Sequence, residues 1–222
     1  MLKDRVSIEH GPFIDFSMFL SPIFFAVFLA GAVGAFTLFV PSYFLPLIAQ
    51  AVGLSSSAGA GLVAAFNACN AVGRFVAGPL CDRIGPFNVF LIAMILNAFS
   101  MLAIWPVSDS IHPLVAFAML NGVANGSFFT ALPTVVAGMF DVRRAAVAMS
   151  MAATGWTAGY LMGAPIAGYI LQSAGGNQKA RADQDFDVYR PAIFYAGGMA
   201  TASALFVLLA RVRLAKKVFK KV

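Results

Sequence analysis

The sequence predicts an all-α membrane protein of six transmembrane helices. Three observations carry this: where charges are missing, where proline and glycine interrupt the apolar stretches, and where the basic residues collect. The 222 residues are 60% apolar and hold 15 Lys and Arg against 9 Asp and Glu. No residue of these four types occurs from Phe16 to Gly73, Ile84 to Ser108, Ser110 to Phe140, Ala145 to Gln178 or Pro191 to Ala210. Each window is long enough for the ~20-residue helix that crosses the hydrocarbon core. A soluble protein of this size cannot hide so much unbroken apolar sequence, because its helices need one wet face.

The elements follow in order. Residues 1–19 form a cytoplasmic or interfacial leader. Its Lys3, Asp4, Arg5 and Glu9 do not make the basic-then-apolar opening of a signal peptide, and Phe13 to Phe19 reads as an interfacial entry. The six-helix bundle then covers 20–211. The first span, 20–48, contains Pro22, Pro41 and Pro46, which remove backbone donors that lipid cannot replace. It is expected to bend or unwind, either as a moving gate lined by Thr37, Ser42 and Tyr43 or as a passive kink. Gly53 and the run Ser55 to Gly59 read as a turn, so the second span covers 58–80. Cys69 and Cys81 lie ~18 Å apart along one helix and cannot bridge each other. The remaining spans cover 87–106, 113–139, 145–171 and 191–211, and 212–222 is a basic tail. Gly122 and Gly126 in the fourth span, and Gly155, Gly159 and Gly163 in the fifth, stand four apart. In lipid such stripes let backbones approach, so packing is expected of them before any ligand contact. The glycosylation pattern Asn125-Gly126-Ser127 falls inside a span and is expected to be unused.

The net charge of +6 reads as topology, with no nucleic-acid partner implied. With a cytoplasmic N-terminus, the inside segments hold Lys3, Arg5, Arg74, Arg83, Arg143, Arg144 and the six basic residues from Arg211 to Lys221. Only Lys179, Arg181 and Arg190 of the 15 fall outside, among Asp183, Asp185 and Asp187. That asymmetry places both termini in the cytoplasm and the polar loop from Ser173 to Arg190 outside. The tail is expected to rest on anionic membrane lipid, at ~1 kcal/mol per cation near the surface. His10 and His112 fall on opposite sides, and no metal or nucleophile constellation appears. Neither an enzyme nor a cofactor is expected.

One string is specific. Gly73-Arg74 precedes Gly78-Pro79-Leu80-Cys81-Asp82-Arg83-Ile84-Gly85 at the cytoplasmic junction of the second and third spans. It resembles the G-x-L-x-D-R-x-G loop motif of the major facilitator superfamily. Gly78 would let a neighbouring helix approach, Gly85 and Pro86 would turn the chain, and Asp82 and Arg83 would supply paired charges at a helix end. The resemblance implies a latch that changes partners between inward and outward states. It implies that this loop packs near the turn Asp141 to Arg144, with Asp82 facing Arg143, Arg144 or the positive end of the following helix. Leu54-Ser55-Ser56, Ala131 to Ala137, Gly155-Trp156-Thr157-Ala158-Gly159-Tyr160 and Pro165 to Gly168 narrow the likeness. Together they are similar to the carboxy-terminal half of fungal monocarboxylate-transporter-like proteins. The family has twelve spans in two bundles, with the substrate between them. Met1 falls where the central loop should be, so the expectation is a shortened product or a half-protein needing an amino-terminal half or second six-helix subunit.

Asn67, Asn70 and Arg74 stand at i, i+3 and i+7 of the second span and share a face. Arg74 is the ionisable residue placed within a span, where charge is expensive and functional by default. The resemblance implies that Arg74 holds a substrate carboxylate. The relatives' proton-coupling Asp, four residues earlier, is here Asn70, which cannot titrate. Arg74 also lies ~8 Å from its helix end, so gating and snorkelling to the headgroups stand beside substrate contact. Asn121 and Asn125 in the fourth span, and Trp156 and Tyr160 in the fifth, are each one turn apart. They either face a cavity and orient a small organic solute or serve interhelical hydrogen bonding and packing. The function expected is movement of a small organic solute by alternating access, with a monocarboxylate and a neutral solute both open, at the plasma membrane rather than an organelle. The rival is a transport-incompetent half that binds or modulates a full-length relative.

Overall fold

A computed structural model describes residues 15–175 and 186–217 of the chain. Expectations for the start of the leader, most of the outer loop, the end of the basic tail and the Arg143 side chain lie outside the described residues. A 3-10 turn, Phe16–Leu20, leads into α1 (Pro22–Leu38). Ser21 caps α1 through its hydroxyl, and Pro22 sits in the first turn, where a missing N–H leaves no helical bond unmade.

The first span is two helices. Phe39 interrupts it, and α2 (Val40–Ala51) continues with Pro41 in its first turn and Pro46 inside. Pro41 has no N–H to return to the Thr37 carbonyl, so the ladder breaks there. At the break the Leu38 carbonyl accepts a hydrogen bond from Asn125 Nδ2 at 2.8 Å, and the Thr37 hydroxyl donates back to the Gly34 carbonyl. A neighbouring helix thus supplies a donor that lipid cannot.

Helix α3 (Ser56–Ile84) starts where the Ser55 hydroxyl accepts from the Ala58 N–H, and ends at Gly85, whose φ of 90° suits glycine alone. Helix α4 (Pro86–Phe99) runs on through a π turn, Ser100–Ile104, and a 3-10 turn, Trp105–Val107. Then follow α5 (Ile111–Met139), α6 (Val142–Ser173), a short turn at Phe186–Tyr189 and α7 (Arg190–Lys217). Among the described residues, five stretches are long and apolar enough to cross a membrane: Pro22–Ala51, Ser56–Ile84, Pro86–Val107, Ile111–Met139 and Phe186–Leu214. Helix α6 matches them in length at 32 residues but is richer in Gly, Ala, Ser, Thr and Tyr. The chain is an all-α, multi-pass membrane protein.

Glycines set the tightest contacts. Helix α3 lies along α5, and a Cβ on Gly126 would fall on the Asn70 carbonyl oxygen. One on Gly73 would strike the Val123 carbonyl, and one on Gly122 that of Phe66. Helix α6 lies along α1, with Gly159 against Ala35 and Gly163 against the Phe36 backbone. Helix α7 packs on α1 and α4, and α4 also on α5. Two apolar cores result, one around Phe24, Phe90, Met94 and Phe128, the other around Leu45, Ile48, Leu114 and Trp105. Trp105 stacks on Phe117 with ring centres 4.3 Å apart. The close approach expected at Gly78 is not there: a Cβ on it meets nothing within 4 Å. Gly73 takes that part, because Gly78 lies ~140° further round the helix and turns away from α5.

Candidate functional site: an open face with one cation

One stripe of α3 is exposed and carries small or polar residues: Ala60, Ala64, Asn67, Ala71 and Arg74. Their spacing alternates four and three, so they form one line along the helix. A second exposed stripe, Val72, Phe75, Val76 and Pro79, is apolar. The two differ in the environment they suit, the first polar and the second lipid.

Arg74 is held on three sides. Its Nε donates to Asn70 Oδ1 at 3.0 Å, its guanidinium carbon sits 4.5 Å from the centre of the Phe129 ring, and its carbonyl accepts from the Thr130 hydroxyl at 3.3 Å. An Arg over a ring is attracted by the ring's negative face. The two terminal nitrogens of Arg74 have no hydrogen-bond partner among the described residues and remain able to grip a planar anion by two bonds. Tyr160, on α6, lies within electrostatic reach of Arg74. Its ring stands edge-on to Phe39 at 5.2 Å and to Trp156 at 6.3 Å. Asn70 and Arg74 are therefore joined on α3, with Asn67 exposed on the Arg74 stripe, and Trp156 and Tyr160 form an aromatic pair on α6. Trp156 is half-buried against Gly31, and its indole N–H is buried without a partner among the described residues.

Asn121 and Asn125 lie elsewhere. Both are buried, and their amide hydrogens are engaged inside the bundle. Asn121 Nδ2 donates to Asn97 Oδ1 and to the Ser100 hydroxyl, each at 2.8 Å, while Asn125 closes the break after α1. The side chains take the interhelical alternative, because one amide meets a freed carbonyl and the other meets polar groups beside the π turn. Sequence reasoning missed Asn97, although a lone amide in an apolar span is itself a signal. It also missed Phe129, for which no signal existed among 22 phenylalanines.

The charged turns pair differently from expectation. Asp82 and Arg83 are exposed at the end of α3. Arg144, in the first turn of α6, bonds instead to the Asp15 carboxylate at 2.6 Å and the Ser17 hydroxyl at 3.2 Å. The reason is adjacency: α6 runs along α1 and so meets the turn that leads into it. The Ser17 hydroxyl and then the Arg144 guanidinium hold the Asp15 carboxyl below the ordinary carboxylate range. No group of three or more potential metal ligands occurs among the described residues.

The Major Facilitator Superfamily family model matches residues 23–221. An MFS-type transporter of Gibberella moniliformis is 31% identical over 198 residues, which is 89% of this chain and 45% of the relative. MFS transporter asaE of Aspergillus flavus is 27% identical over 87% of this chain and 41% of its own. The Agnestins efflux protein AgnL12 of Paecilomyces divaricatus is 25% identical over 91% and 44% respectively. The chain thus spans less than half the length of these relatives. Its long apolar helices agree with a family match over residues 23–221, and the chain belongs to the Major Facilitator Superfamily.

Proposed function

We propose that this chain forms one wall of a secondary transporter that moves a small organic anion, a monocarboxylate in the specific reading, by alternating access. The observation that carries it is Arg74, a fixed cation on an exposed polar stripe, oriented by Asn70 and Phe129 with two nitrogens unengaged. A carboxylate entering a low-dielectric cavity needs such a partner. Asn67, Trp156 and Tyr160 complete the wall, the aromatic rings offering apolar area beside the charge. Asn125 acts behind it, holding the broken first span, and Asn121 ties α5 to Asn97 and Ser100. The opposite wall is an amino-terminal half or a second six-helix subunit. Both termini face the cytoplasm, in the plasma membrane, and Gly85, Asp82, Arg83, Arg143 and Arg144 belong to the cytoplasmic latch. The efflux role in the name of the agnestins relative favours outward movement. Asn70, which cannot titrate, argues against proton coupling through α3.

The test is uptake of labelled monocarboxylates into vesicles holding a complete transporter, assembled by fusing this chain to the first half of a relative. Arg74→Gln should lower uptake ~10- to 100-fold, the equivalent of a charged hydrogen bond of ~1.5–3 kcal/mol. Arg74→Lys should lose less, since it keeps charge but not the fork. Undiminished uptake by Arg74→Gln at matched expression would refute the anion reading and leave Arg74 to gating or snorkelling. A second reading, a half that binds or modulates a full-length relative, rests on the fraction of the relatives' length that is spanned. It predicts co-purification with the relative and altered transport by it, without uptake of its own.

A further inference from the structure

Away from the Arg74 face, α4 and α7 enclose an apolar groove of about 460 Å³. Its walls are Leu91, Ile95, Ala98, Phe99, Leu102 and Ala103 on one side and Thr201, Ala204, Leu205 and Leu208 on the other. Both walls follow helical spacing, and both continue along the same stripe to a polar residue: from Leu91 back to Asn88, and from Leu208 on to Arg211. Those two residues meet, the Arg211 Nε donating to Asn88 Oδ1. At the other end Leu102 seats on Gly197, where a Cβ would collide with it. The groove therefore has a closed apolar end, at the π turn, and a cationic mouth.

We infer that this groove binds one acyl chain of an anionic phospholipid, with its phosphate at Arg211. Three features commit to that occupant. From Leu91 to Ala103 the groove runs ~18 Å at the helical rise, close to the ~15 Å depth of a single leaflet. Its lining is apolar apart from Thr201, whose hydroxyl is already given to the Gly197 carbonyl at 2.8 Å. Polar headgroups or solutes have nothing to bond there. The mouth is positive: Arg211 and the exposed Arg213 lie in the last two turns of α7, and Arg83 lies at the end of α3 with Asp82 beside it. Arg211 keeps its terminal nitrogens for a phosphate while Asn88 fixes its orientation. Bound there, the lipid would clamp α4 to α7 on the side of the bundle remote from the solute.

The test is photolabelling of the purified 222-residue chain in phosphatidylcholine nanodiscs. The probe is trace phosphatidylserine with a diazirine near the end of one acyl chain, and adducts are mapped by peptide mass spectrometry. Adducts are expected within 91–103 and 201–208. Unlabelled phosphatidylserine should compete about fivefold better than phosphatidylcholine, the ratio given by ~1 kcal/mol from one interfacial cation. Ala204→Phe should remove these adducts. Arg211→Gln should leave their positions unchanged while abolishing the preference for phosphatidylserine. If Ala204→Phe does not fold, saturable competition in the unaltered chain decides the matter. Adducts spread evenly over all exposed helices, equal competition by the two lipids, or cross-links between two copies through α4 and α7 would each overturn the inference.

Discussion

Asp15 sits at the entry to α1 and takes the Arg144 side chain, one of the three partners the loop motif implied for Asp82. Two neighbours stabilise its charged form, the Ser17 hydroxyl most and Arg144 next, and both lower its proton affinity. The sign follows from linkage. A carboxyl whose folded-state affinity is depressed contributes stability above its unfolded value of ~3.9 and loses it as pH falls through the lower folded value. The pair therefore adds nothing pH-dependent between neutrality and about pH 5, and fades below about pH 4. Asp15→Asn should lower the thermal midpoint of the detergent-solubilised chain at pH 7 by a small amount, since Arg144 is exposed and Asp15 only half-buried. The gap between parent and variant should close on acidification. A gap unchanged down to pH 2 would show that the carboxylate charge is not what Arg144 recognises.

At the scale of elements, the α3–α5 pair depends on missing side chains. Gly126 lets α5 approach until its Cα rests beside the Asn70 carbonyl, and the same turn of α3 carries Arg74. Without a hydrophobic force between helices in lipid, this backbone contact is what packing supplies. Gly126→Ala should force the helices apart and cost about 1–3 kcal/mol, the range for overpacking, read by unfolding in mixed detergent. It should also weaken any function that depends on Arg74 lying over Phe129. Gly78→Ala is the control: its new methyl meets open space, and alanine is the better helix former by up to ~1 kcal/mol. Equal destabilisation by both would mean that loss of glycine, not closeness of approach, is what matters.

For the whole molecule, the distribution of basic residues predicts which side of the membrane each end of the bundle faces. Arg211 and Arg213 lie in the last two turns of α7, Arg83 in the last turn of α3 and Arg144 in the first turn of α6, so one end of the bundle gathers these cations. At the start of α7, Asp187 pairs with Arg190 at 3.1 Å. If the cationic end is cytoplasmic, Gln178→Cys in a chain freed of Cys69 and Cys81 should react with an impermeant maleimide in intact cells. Reaction only after permeabilisation would invert the topology and with it the leaflet assigned to the α4–α7 groove.

Composition and charge placement alone determined the class of this protein, because twenty-residue apolar windows have one stable solution in lipid, the helix. The prolines around Phe39 announced a disturbed first span, and the D-R loop announced the family. The face shared by Asn70 and Arg74 was legible as well, since both stand on one helix and helical spacing is a local property. What touches that face was not. Helical periodicity says which residues point the same way, but the rotation of each helix against its neighbours is set by packing. That rotation brought Phe129 under Arg74 and took Gly78 away from α5. It also turned Asn121 and Asn125 inward, one to a buried amide and hydroxyl, the other to the last carbonyl of α1, at the break in the first span. Arg144 found Asp15 for the same reason, since which helices lie side by side is decided only when glycine stripes such as Gly159 and Gly163 meet a partner backbone.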